Sequence, residues 1–140
     1  MRIQLSDCLI AAFLTVFSTG ARAGNTPIDF HQTVLPILKD SCFACHVPGA
    51  DDPYASKDPL VAKKVKKEVG HALENLTMGD KFPFVDEDSP AKQLKHLDKE
   101  LTKQMMPPDD QDKLGLGLPL SDKNRKILLD WVAQEKNNLH

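Results

Sequence analysis

The chain has 140 residues, room for one domain of ordinary size, and its 41% hydrophobic and 27% charged residues are the balance of a soluble globular protein. A formal net charge of −2 excludes the strongly basic footprint of a nucleic-acid binder, and apolar residues recur too regularly for intrinsic disorder. Three cysteines are too few for a multi-disulfide scaffold and leave one thiol odd; aromatic residues are scarce, at six Phe, one Tyr and one Trp.

Residues 1–23 read as a secretory signal. The run from Cys8 to Phe17 is apolar apart from Thr15, too short for a bilayer, which needs about twenty residues. Ala21-Arg22-Ala23 supplies the small residues that a signal peptidase reads, and Arg2 the positive end. Cleavage before Gly24 removes Arg2, Arg22, Asp7 and Cys8, leaving a single domain of 117 residues with net charge −3, two cysteines and no membrane span. Export also places those two cysteines in an oxidising compartment.

From Asp29, a helix cap, the residues Phe30, Val34, Ile37 and Leu38 recur with helical spacing. Pro36 within that pattern should bend or restart the helix. The helix runs into Cys42-Phe43-Ala44-Cys45-His46. Cys-x-x-Cys-His is the haem c attachment pattern: two thiols three positions apart reach the two vinyl groups of one porphyrin, and the next residue brings imidazole beneath the iron. A thioredoxin-like pair calls for a βαβ context that is missing here. A zinc site calls for a fourth ligand, for which His71 or His96 would have to serve. A simple disulfide leaves His46 without a role.

Residues 47–57 are loop by their Pro, Gly and Asp content. Asp58-Pro59 opens a second helix with Val61, Val65, Val69, Ala72 or Leu73 and Leu76 on one face, running to about Met78 and stopped by Gly79. Lys63, Lys64, Lys66 and Lys67 occupy its other face. Phe82 and Phe84 follow in a connection and are expected to wall a cofactor pocket. Ser89-Pro90 starts a third helix with Leu94, Leu97, Leu101 and Met105 in one stripe, which gives Met105 a packing role. Lys92, Lys95, Lys99 and Lys103 form an exposed stripe on the same helix.

Met106 falls outside that stripe and precedes Pro107, which pushes its backbone toward an extended conformation and suits it to hold a thioether at a fixed place. After a flexible 115–117 segment, Ser121 caps a last helix with Ile127, Leu128, Trp131 and Val132 on one face. No alternating pattern supports a sheet, so the fold class is all-α.

The segment Phe30 to His46, with Met106-Pro107-Pro108 and the run Ile127 to Val132, resembles the small single-haem c-type cytochromes of class I over essentially the whole mature chain. The resemblance implies a bundle of about four helices wrapped around one haem, covalently bound through Cys42 and Cys45. It also implies that Trp131 packs on Phe30 or Val34, and that Met106, directly before the prolines, is the distal ligand opposite His46. His/Met ligation fills both axial positions and raises the reduction potential. The expected function is therefore periplasmic one-electron transfer between redox protein partners, not catalysis. The alternative is a haem-enzyme subunit or sensor with an open iron site, or a bis-His site using His71 or His96.

Overall fold

A computed structural model describes residues 26–49, 58–85, 88–107 and 114–140. The expected signal, residues 1–23, most of the expected loop 47–57, and Pro108 lie outside the described residues. All regular structure among the described residues is helical.

The Asp29 side chain accepts a hydrogen bond from Gln32 N and caps a wide π-helical turn, Phe30–Val34. This continues directly into α1, Leu35–Ser41. Pro36 sits in the first turn of α1 and has no N–H to return to the preceding turn, so the helix restarts at the expected place. At Cys42 the backbone leaves helical geometry (φ −127°, ψ −36°) before the one-turn α2, Phe43–His46. That break turns the attachment segment away from the line of α1.

Helix α3, Pro59–Asn75, is capped by Asp58, whose carboxylate accepts from the amides of Leu60 and Val61. It ends three residues short of the expected Met78, because Leu76 is extended (φ −161°, ψ 113°). The reason lies in the partner segment: Met78 N donates to His46 O at 2.7 Å, and Leu76 O accepts from the His46 ring. These bonds draw residues 76–78 off the helical path onto α2, and Gly79 plays no part in the stop.

Helix α4, Pro90–Thr102, and α5, Asp122–Asn138, are capped by Ser89 and Ser121 and pack on each other, while α2 packs on α3 and α5 on the π turn. α4 closes in a Schellman turn. Gln104 takes φ 54°, Gln104 N donates to Leu101 O and Met105 N to Glu100 O. The reversal carries Met105 off the leucine stripe, leaving it 56% exposed; the expected packing role of Met105 is thus overturned.

Two other expectations change. Phe82 and Phe84 form a ring cluster with Phe30 and Trp131, with centroid separations of 5.1 to 6.3 Å, and wall the seam between the chain ends instead of a cofactor pocket. The expected contact of Trp131 with Phe30 is present at 5.5 Å. The 115–117 segment is not a loose linker: Leu116 is buried against Val65 and Val69, and Leu118 N donates to Asp40 O at 2.8 Å.

Gln93, a buried polar residue that periodicity alone does not single out, organises the connection before α4. Its amide nitrogen donates to Phe84 O and Asp88 O, and its oxygen accepts from Phe84 N. Replacing Gln93 with Leu strands these backbone groups, and chemical denaturation should show a loss of about 1–3 kcal/mol. Gln104→Gly should instead raise stability by about 1 kcal/mol, since a side chain in the left-handed region costs roughly 1–2 kcal/mol.

Candidate functional site

The break at Cys42 and the single turn of α2 put both cysteines and His46 on the wall of one cleft. Cys42 is placed by the end of α1, its N–H bonded to Leu38 O, and Cys45 and His46 both return their amides to Cys42 O at 3.1 Å. The far walls come from α3 (Glu68, Ala72), from the segment after it (Leu76, Met78), from α4 (His96, Leu97, Glu100, Leu101) and from Leu128 of α5. Met106 and Pro107 close the side reached after α4. The cleft between these walls is partly open to solvent and mostly apolar.

His46 is held in a defined state. Its Nδ1 lies 2.7 Å from Leu76 O. A carbonyl can only accept, so Nδ1 carries the hydrogen and Nε2 keeps its lone pair. Burial pushes the His46 titration below the ordinary imidazole range; the Leu76 bond acts in the opposite direction, and nearby His96 adds to the lowering. The ring is therefore a neutral, oriented donor, the form a metal requires.

The two thiols are free. Burial, with Cys45 adding and Arg125 opposing, pushes Cys42 up to about 12. Burial and then Glu68 push Cys45 up as well. Both are thiols, not thiolates, at neutral pH, the reverse of what a thioredoxin-type redox pair needs. Among the described residues no group of three or more His, Cys, Asp or Glu is arranged to hold a metal ion, so the fourth ligand of a tetrahedral zinc site is not supplied.

Of the residues singled out from sequence, Cys42, Cys45, His46 and Met106 come together here. Met106 lines the cleft while remaining 38% exposed. The two spare histidines separate. His96 lines the cleft, whereas His71 is exposed on α3 beside Glu74 at 3.7 Å and is not part of the wall. Sequence reading missed Glu68 and Glu100 as wall residues. Glu100 is 8% exposed, and its place three residues after Leu97 on the stripe of α4 was the available signal. The expected lysines are all exposed, on α3, on α4 and, for Lys103, at the residue that follows α4.

The donor set fits a haem: two thiols three residues apart, a neutral imidazole with one nitrogen free, and a cleft lined by Leu38, Leu76, Met78, Leu97, Leu101 and Leu128 for a large apolar ring. Among the described residues no helix is long and apolar enough to cross a membrane. Comparison with curated proteins and with solved structures returns no match. A model of a haem-binding domain matches residues 10–134, most of the chain and every wall of the cleft. The chain belongs to the haem-binding domain family.

Proposed function

We propose that this haem-binding protein is a periplasmic electron carrier that holds one haem c through Cys42 and Cys45, with His46 and Met106 as axial ligands. The observation that carries the reading is the convergence of these four side chains on one cleft. When bound, the haem supplies a one-electron couple between ferric and ferrous iron.

The chain's own residues do the rest. Cys42 and Cys45 would hold the haem as thioethers, each S–H adding across one vinyl group with sulfur on one carbon and hydrogen on the other. His46 offers Nε2 while Leu76 O fixes the ring through Nδ1, a bond that also raises ligand basicity. Met106 offers a soft thioether that favours the reduced metal. Iron held by both His46 and Met106 would leave no position for oxygen or peroxide, and electron transfer would then require little rearrangement. The leucines of the cleft exclude water. The exposed lysines of α3 and α4 supply a positive field for acidic redox partners, which weakens with salt, and a cleaved signal at residues 1–23 would deliver the chain to the periplasm.

One observation favours a second reading. His96 lines the same cleft as Met106, so a bis-His iron, or an exchangeable site in an enzyme subunit or sensor, competes with His/Met ligation. The optical spectrum of the ferric protein separates them. Met106→Ala should abolish the weak far-red band of Met-to-iron ligation, and His96→Ala should leave it in place; an unchanged low-spin spectrum in Met106→Ala overturns the assignment. Haem that dissociates from the mature chain under denaturing conditions overturns covalent attachment.

Loss of the cofactor has a second expected effect. A Cys42→Ala/Cys45→Ala chain without haem leaves the leucine walls of the cleft facing each other across empty space. It also forgoes the stabilisation that a ligand of the native state provides by mass action. Circular dichroism of this variant should show a largely unfolded chain with no cooperative thermal transition.

A further inference from the structure

The first turn of α5 carries an arginine that reaches across to the end of α4. Arg125 Nη1 donates to Leu101 O at 3.2 Å and to Met106 O at 3.1 Å. Leu101 O is already the acceptor of the Gln104 amide in the Schellman turn. One guanidinium thus joins three pieces: the last turn of α4, the residue before Pro107, and the start of α5, where Arg125 N is itself tied to Ser121 O at 2.8 Å. The Arg125 Nε is buried and has no partner among the described residues. The charge of the side chain is felt at Cys42.

Chain geometry gives these two bonds a particular importance. Gln104 at positive φ reverses the chain, Met105 points to solvent, and Met106 is more than a third exposed. Among the described residues no helix contains Met106. Its carbonyl bond to Arg125 is what fixes the backbone from which the thioether extends.

We propose that Arg125 is the positioning residue for Met106: by locking the Met106 carbonyl to α4 and α5, it sets how firmly the thioether is held on the iron. The inference rests on Met106 being the distal ligand. A guanidinium suits the task because Nη1 carries two N–H groups held in a fixed plane, so one nitrogen serves two carbonyls that belong to different segments. The lysine ammonium has three donors, but on a flexible stem that does not hold them in set directions.

The test uses the ferric holoprotein and imidazole as the competing ligand. Arg125→Gln should bind imidazole about tenfold more tightly than the wild type, equivalent to about 1.4 kcal/mol lost from the Met106 bond, and its far-red band should weaken. Arg125→Lys should fall between the two. The decisive comparison is made in the Met106→Ala background, where Arg125→Gln should no longer change imidazole affinity, because the interaction it serves is gone. An equal tightening in both backgrounds overturns the proposal, because the effect of Arg125 then does not pass through Met106. An imidazole affinity unchanged by Arg125→Gln and Arg125→Lys, with a lower melting temperature alone, also overturns it and leaves a purely structural role. If Met106→Ala keeps the wild-type spectrum, the distal assignment itself falls, an outcome distinct from either of these.

Discussion

Everything around the cleft depends on the bond between the His46 ring and the Leu76 carbonyl. A free imidazole has two tautomers and can rotate about two side-chain bonds. One short contact to an acceptor-only group removes both freedoms, and the return bond from Met78 N to His46 O fixes the backbone on which the ring stands. The same pair of bonds decides where α3 ends. Helix propensity alone carries the α3 pattern to Met78, yet the gain from satisfying buried groups at His46 outweighs one more helical turn. The functional site therefore shapes the secondary structure next to it.

Two parts of the cleft wall are built by different means. The His46 side is stitched by short backbone bonds between α1, α2 and residues 76–78. The Met106 side follows a helix end whose reversal rests on a glutamine at positive φ, and it is held from α5 by a single arginine. One side is rigid through local hydrogen bonding, and the other through a long side chain.

Much of this was legible in the residues. Asp29, Asp58, Ser89 and Ser121 cap the helices they were expected to cap, because an oxygen-bearing side chain before an apolar periodic run satisfies the first free amides. The all-helical class and the meeting of Cys42, Cys45, His46 and Met106 at one cleft followed from spacing and from resemblance. What was hidden had long-range causes. Met105 fits the stripe of α4 by number, but the turn at Gln104 removes it. Phe82 and Phe84 are apolar enough for a cofactor wall, but their partner proved to be Trp131. Neither the carbonyl that orients His46, thirty residues away, nor the amide clasp of Gln93 leaves a pattern in a single sequence, because each depends on how two elements meet.

The seam between the chain ends lies apart from the cleft. Ile28 exchanges a pair of hydrogen bonds with the Gln134 side chain, and Trp131 lies 1% exposed between Phe30 and Phe82. It is the chain's one tryptophan. Its ring contacts come from Phe30 and from Phe82 of the 82–84 connection. The haem-free protein thus carries a natural optical probe whose emission wavelength reports whether Phe30–Val34 and Asp122–Asn138 are docked.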